Sequence, residues 1–367
     1  MKIGLVCPYN LFKGGGVQEC VFAMQTELSV RGHEALIITP QPRDYSGDVD
    51  TFVRLLGRST DMRSPFHTTA QISVSVDTKA VDALLDAEDF DILHFHEPWV
   101  PLLSWQILPR SKALNIATFH AKLPDTVMSK TIERVITPYT KSVLKYLDTL
   151  TAVSEPAASY VRSLTDREIT IIPNGIDLKR YKGPGDEASR DKNMILYIGR
   201  LERRKGIKNL IEAVDVLAAS KPDIRLIIAG AGPDLKKLEN YVEELDAPVE
   251  FLGRVDEATK TKLLNTAQVF CSPAKFGESF GIVLLEAMAS NLPVVAGDNP
   301  GYRTVMQGAG RLSLVDPSDT NELARQLDIM MSEKAVRKIW QDWAQKNVKK
   351  YSYTKIVDQY EAIYQQA

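Results

Sequence analysis

Three cysteines in 367 residues, Cys7, Cys20 and Cys271, are too few and too far apart for a zinc motif. They also form no even set that would staple a secreted fold, which fits a reducing cytoplasm. Long apolar runs are missing too: none approaches the ~20 residues of a membrane span. The first residues, Met1 to Cys7, read as a strand rather than a signal peptide. These absences set the expectation of a cytoplasmic protein, at most peripheral at the inner face of the plasma membrane. Charge of either sign is not in excess. A formal net charge of -2 and a pI near 6.3 argue against a nucleic-acid partner. No internal repeat or low-complexity segment is present. What remains is an ordinary globular composition, 44% hydrophobic and 25% charged. At 367 residues, against about 100 to 200 per domain, two domains are expected.

The chain alternates strands with helices, the pattern of parallel sheets covered on both faces. Lys2 to Cys7 is a strand, Pro8 to Gly16 a loop, and Val17 to Arg31 a helix with apolar positions at Val17, Val21, Met24 and Leu28. Gly14-Gly15-Gly16 directly before that helix suits a phosphate, since free N–H groups and the helix dipole favour an anion there. A plain flexible turn would account for it equally. Further strands read at Glu34 to Thr39, Asp91 to His96 and Asn115 to Phe119, with helices around Thr78 to Ala87 and Trp99 to Leu108. His94 and His96 share a strand face beside Glu97, but no third ligand at motif spacing supports a metal site. His120 ends a strand, and open α/β sheets bind ligands at the carboxyl ends of their strands. It is the candidate for the reaction centre, against the alternative of a histidine without chemistry.

Between Leu102 and Leu147 the basic residues Arg110, Lys112, Lys122, Lys130, Arg134, Lys141 and Lys145 outnumber Asp125 and Glu133. Lys130 with Arg134, and Lys141 with Lys145, share helix faces on either side of Pro138. Such faces suit an anionic membrane surface, or simply water. Pro173-Asn174-Gly175 reads as a hinge, and Gly183-Pro184-Gly185-Asp186-Glu187 is the most linker-like run. The second domain therefore begins near Ile176.

Its first strand, Met194 to Ile198, runs into Gly199-Arg200-Leu201-Glu202-Arg203-Arg204-Lys205-Gly206. Arg200 can grip phosphate oxygens and Lys205 adds a point charge, which together suit a diphosphate. Arg203 and Arg204 read as surface charge. Gly230-Ala231-Gly232-Pro233 and Glu250 to Asp256 are further turns at sheet edges. The most informative stretch is Phe276-Gly277-Glu278-Ser279-Phe280-Gly281-Ile282-Val283-Leu284-Leu285-Glu286. Gly277 and Gly281 permit a sharp turn, and Ser279 is placed to cap the helix. Glu286 sits where the helix is apolar all round, so it is a buried charge needing partners. Ribose hydroxyls or a salt bridge in the core would each satisfy it. Beyond Pro293 to Gly297, the stretch from Asn321 to Tyr364 is helical.

Gly15-Gly16, His120, Gly199-Arg200 with Lys205-Gly206, and Glu278 through Glu286 together resemble glycosyltransferase family 4 (GT4), whose members retain anomeric configuration. The similarity covers nearly the whole chain. Within the family, the runs Gly4 to Tyr9, Gly15 to Gln18, His96 to Pro98, Thr118 to His120 and Gly277 to Leu284 are most similar to the branch that mannosylates phosphatidylinositol. The resemblance implies an α/β chain of the GT-B fold, two Rossmann-like domains facing across a cleft. The acceptor domain would be residues 1–175 and the donor domain 176–349, with the helix near 350–367 returning to the first. Arg200 and Lys205 would neutralise the diphosphate of a nucleotide sugar, GDP-mannose or another NDP-hexose, Glu286 would hold the ribose, and Glu278 the sugar hydroxyls. Gly15, Gly16, Gly230, Val255, Phe280, Gly281 and Ile282 complete the donor site, and His120 would lie beside the anomeric carbon. Tyr9, Gln18, Trp99 and Lys122 fall on the acceptor side, with a membrane lipid as acceptor.

No metal or other cofactor is implied. The chain departs from that branch at Trp99, at Ala121-Lys122-Leu123-Pro124, and between Gln71 and Leu85, where a basic helix is reduced to Lys79 against Asp77 and Asp82. A soluble or polysaccharide acceptor, a hydrolysing nucleotide-sugar epimerase, or a non-catalytic sugar-nucleotide binder are the rival readings.

Overall fold

The computed structural model describes residues 1–12, 14–42, 47–63, 69–75, 77–122, 127–182 and 189–366. The linker-like run at Gly183 to Glu187, and Leu123-Pro124, lie outside them. The chain forms two compact units, Met1–Gly175 with Tyr353–Ala367, and Ile176–Ser352.

The first unit is built on strands β1 (Lys2–Val6), β2 (Glu34–Gln41), β3 (Val53–Arg63), β4 (Thr69–Ser75), β5 (Ile92–His96), β6 (Leu114–Phe119), β7 (Thr149–Ala152) and β8 (Ile169–Ile171). They lie in the order β4-β3-β2-β1-β5-β6-β7-β8. All pairs are parallel except β3 with β4. β5 is buried along its whole length, as a strand covered on both faces must be. The helix Gly16–Val30 buries Cys20, Val21, Met24, Gln25 and Leu28, one face at helical spacing. The C-terminal helix, Tyr353–Tyr364, packs Ile356, Val357, Tyr360 and Tyr364 into the same cluster, so the end of the chain completes the first core.

The second unit has β9 (Asp191–Ile198), β10 (Arg225–Ala229), β11 (Val249–Gly253), β12 (Ala267–Ser272), β13 (Val294–Gly297) and β14 (Leu314–Val315), ordered β11-β10-β9-β12-β13-β14. In both sheets the strand order reverses once, at β1/β5 and at β9/β12. In open α/β sheets the crevice outside the carboxyl ends at such a reversal is where ligands bind. The segments delivered there are Cys7 to Phe12 with Gly14-Gly15 and His96-Glu97 in one unit, Gly199 to Gly206 and Pro273 to Gly281 in the other.

Several sequence expectations are corrected. β3 and β4 did not register, because their Arg, Ser, Thr and Asp lack the continuous apolar run of the inner strands. Ser279 is not the helix cap: the helix is Ile282–Ala289 and its N-cap is Gly281, at φ 108° with no side-chain cap. A Cβ on Gly281 would lie 2.7 Å from Tyr302 Cδ1, so the tight fit against that ring leaves no room for a capping serine. Pro138 does not divide two helices but lies inside one, Val127–Leu144. The helix expected from Trp99 starts at Leu103. Ser154 does cap its helix, accepting from Ala157 N.

Gly206 sets the entry of the helix Ile207–Ala218, at φ 70°, with its Cα facing the Pro273 carbonyl. A Cβ there would lie 2.1 Å from that oxygen. Gly206→Ala should therefore lower stability by more than the roughly 1 to 2 kcal/mol of a left-handed alanine. Thermal unfolding checks this, and a melting temperature equal to wild type would show that Gly206 is not constrained.

Candidate functional site

In the second unit, the loop after β9 and the loop after β12 meet on one carboxylate. Glu278 Oε1 accepts from Lys205 Nζ at 2.8 Å and from Arg204 Nη1 at 2.5 Å. Arg204 also reaches the Gly277 carbonyl at 3.1 Å and Glu202 Oε2 at 2.9 Å, and Arg200 pairs with Glu202 Oε1 at 3.4 Å. Three cations face two carboxylates, leaving one positive charge in excess. The Glu278 side chain is 11% exposed. Burial alone would raise its pKa, but Lys205 and Arg204 outweigh this and hold the carboxyl below its ordinary range. Burial pushes the Lys205 ammonium down, with Glu278 opposing. Such a cluster is prepared for a polyanion: the bound carboxylate fixes the cations in place, and Arg200, 54% exposed, remains open to solvent.

Glu286 is buried, and its Oε1 accepts from Lys260 Nζ at 2.9 Å and Tyr181 Oη at 3.1 Å. Among the described residues nothing bonds Oε2. Burial works against the Lys260 charge, yet Glu286 and Tyr181 raise its pKa. The structure thus supplies the core salt bridge, made through Oε1. The Phe280 ring is buried edge-on against Tyr351. Ile282 opens the helix as its first residue. Gly230 donates its N–H to the Gly253 carbonyl at 2.7 Å, bringing the β10 and β11 edges together. Val255 precedes Asp256, the N-cap of the helix carrying Lys260.

In the first unit, Gly15 is the N-cap of the helix Gly16–Val30, in extended conformation and with no side-chain cap. Gln18 Nε2 donates to the Asn10 carbonyl at 3.2 Å, and half-buried Tyr9 accepts from Thr39 Oγ1 at its own carbonyl, 2.8 Å away. His120 is buried, its Nε2 2.9 Å from His96 Nδ1. Glu97 Oε1 accepts the N–H groups of His120 and Ala121, both at 2.5 Å. Trp99 follows half-buried, in a turn fixed by Tyr139 Oη donating to the Pro98 and Val100 carbonyls. Lys122 is half-buried.

For a metal, His94 is unsuitable: its Nδ1 meets Tyr364 Oη and its Nε2 Thr118 Oγ1, both at 2.7 Å. Cys20, His96 and His120 have donor atoms within 4.8 Å of one another. Two of those nitrogens already bond each other, and burial pushes the Cys20 thiol up to about 12, which disfavours the thiolate a metal needs. Of the basic residues, Lys112, Arg134, Lys141 and Lys145 are exposed, whereas Arg110 is paired with Asp82 at 3.0 Å. The side chains of Lys130 and Glu133 lie outside the described residues.

The sequence singles out Glu278 and Lys205 separately, without their ion pair, and does not point to Arg204, Glu202, Lys260 and Tyr181. Arg204 could have been found from its place in a run of three cations at a strand end. Lys260, three residues after Glu257 on a polar helix, carried no signal distinguishing it from a solvated lysine.

Comparisons with known proteins extend this picture. Residues 184–347 match the family Glycosyl transferases group 1, and residues 14–180 match Glycosyltransferase Family 4. A phosphatidyl-myo-inositol mannosyltransferase of Mycolicibacterium smegmatis is 31% identical over 372 residues, spanning 100% of this chain and 94% of the relative. A GDP-mannose-dependent monoacylated alpha-(1-6)-phosphatidylinositol monomannoside mannosyltransferase of Corynebacterium glutamicum is 31% identical over 199 residues, 49% of this chain and 52% of its own length. Among solved structures, a sucrose-phosphate synthase from Thermosynechococcus elongatus superposes with a TM-score of 0.80 at 19% identity, covering 100% of this chain and 98% of that one. That likeness is one of fold, two Rossmann-like units.

The buried imidazoles predict an acid-sensitive first unit. Burial pushes His94 down to about 3 and His120 to about 4, from 6.5. Below pH 6.5 the unfolded chain binds those protons first, so stability falls with pH, by about 1.4 kcal/mol per unit per ring. Glu97 acts in the opposite sense: burial raises it from 4.5 to about 7, so it adds stability as pH falls through that window and offsets one ring. Denaturant unfolding between pH 7 and 4 should show a net loss, shallower by about one ring's share in His94→Gln. Identical slopes in variant and wild type would contradict the assignment.

Proposed function

The chain belongs to the glycosyltransferases of group 1 and family 4, and we propose that it transfers mannose, with retention, from GDP-mannose to a phosphatidylinositol-type lipid. The observation that carries the donor half is the cluster of Arg200, Arg204 and Lys205 on Glu202 and Glu278, with its one excess positive charge at the strand reversal of the second unit. A leaving diphosphate gains negative charge as the glycosidic bond breaks. Fixed cations stabilise that charge without reorganising, and so act more strongly on the transition state than on the ground state. Arg200 and Lys205 take the diphosphate, and Glu278, relieved of part of its cation load, takes hydroxyls of the sugar. Glu286 holds the ribose through Oε2. His120 contacts the sugar beside the anomeric carbon, Gly15 and Gly16 offer N–H groups to phosphate, and the leaving phosphate accepts the proton of the acceptor hydroxyl on the same face.

The acceptor half rests on full-length similarity to relatives named for phosphatidyl-myo-inositol. It gains physical support from the exposed cations Lys112, Arg134, Lys141 and Lys145, which suit an anionic bilayer. No helix among the described residues is long and apolar enough to cross a membrane. The loss of Arg110 to Asp82 trims this cationic surface and favours, as the second reading, a soluble acceptor.

The test is transfer of labelled mannose from GDP-mannose, with UDP-glucose as control, to vesicles with and without phosphatidylinositol. Label should enter the lipid phase only with GDP-mannose and phosphatidylinositol together. Lys205→Ala should reduce it about 100- to 1000-fold, the effect of deleting one preorganised donor. Release of free mannose alone, or near-normal transfer by Lys205→Ala, would overturn the reading.

A further inference from the structure

β5 and β6 end side by side, and the residue just beyond β5 ties them together. Glu97 has φ 53°, a left-handed conformation that costs a non-glycine residue energy and is held only where surroundings enforce it. Its N–H donates to the Thr118 carbonyl at 2.9 Å, and its Oε1 takes the N–H groups of His120 and Ala121 in return. No cation among the described residues pairs with this carboxyl; the Trp99 indole is its side-chain neighbour, and its buried Oε2 makes no hydrogen bond of normal geometry. A buried carboxyl so arranged is a poor way to gain stability. Its oxygen is spent on the peptide of one residue, His120, and the next.

The His120 ring is held separately. His96 Nδ1 lies on its Nε2, and His96 stacks on His94 at 4.5 Å between centroids, with His94 anchored at both nitrogens by Thr118 and Tyr364. His96 Nε2 is buried and unpartnered. A bare lone pair is tolerated there better than an N–H, which puts the His96 proton on Nδ1 and makes His120 Nε2 the acceptor.

We propose that Glu97 and His96 are positioning residues for His120, Glu97 fixing its main chain and His96 fixing its ring as the neutral Nδ1–H tautomer. This rests on the role given above to His120, and one arm of the test does not. Long-range proton–nitrogen NMR of the imidazoles reads the tautomer with no substrate present, and His120→Gln assigns its signal among the five histidines. Wild type at pH 7 should show His120 neutral, protonated at Nδ1. Glu97→Met keeps volume but removes the acceptor, and Glu97→Gln keeps one acceptor oxygen. Methionine should mix the tautomers and cut kcat for mannose transfer to phosphatidylinositol vesicles about 100-fold, the cost of a 1 Å misplacement. Glutamine should preserve the tautomer and most of kcat. If Glu97→Met does not fold, His96→Leu against His96→Asn, which keeps a donor near the Nδ1 place, makes the same comparison. A wild-type His120 protonated at Nε2, or methionine and glutamine variants alike in both readouts, would overturn the proposal. Absence of transfer in wild type would count against the proposed reaction and leave the tautomer result to decide this one.

Discussion

One carboxylate oxygen with two cations on it organises the second unit. Glu278 Oε1 holds Arg204 and Lys205, which come from the loop after β9, while Glu278 itself comes from the loop after β12. Those strands are neighbours across the reversal in strand order, so the sheet brings the charges together and the charges lock the loops. Unpaired, each group would be a buried ion. Paired, the cluster keeps one positive charge over, which is the property a diphosphate site needs. The glycines follow from the same constraint: Gly206 can approach the Pro273 carbonyl, and Gly281 the Tyr302 ring, only because neither carries a side chain.

The first unit solves a different problem with neutral groups. Its buried histidines are kept uncharged by desolvation, and their ring partners are hydroxyls and one another rather than carboxylates, with His96 Nε2 left unpartnered. Thr118 Oγ1 is the junction, meeting His94, Thr151 and Tyr360. A polar network centred on one hydroxyl restricts the arrangement of the side chains around it, because moving Thr118 would leave several buried groups unpaired at once.

The inner strands and the helices at the sheet edges were legible in the sequence, since continuous apolar runs and 3.6-residue spacing are direct records of burial. β3 and β4 were not, because toward that edge of the sheet the sequence is rich in Arg, Ser, Thr and Asp and shows no continuous apolar run. Glu278, Lys205 and His120 could be singled out because each lies at a strand end or in a glycine-bracketed loop. Arg204 and Lys260 could not, because a cation's role depends on which carboxylate the fold brings to it from 74 residues away in one case and 26 in the other. Ser279 misled for the opposite reason: its residue type fits a cap, but the Gly281 backbone turns too sharply for it to reach one.

The C-terminal helix has a consequence for how the protein is made. Its Tyr360 and Tyr364 bond Thr118 and His94, residues translated some 240 and 270 positions earlier. Emerging from the ribosome, the first sheet therefore lacks the tyrosine partners of Thr118 and His94 while the whole of Ile176–Ser352 is synthesised. The second unit is contiguous and can reach its final form first. Maturation of the protein thus runs against the order of its sequence, with the unit that begins the chain being the last to close.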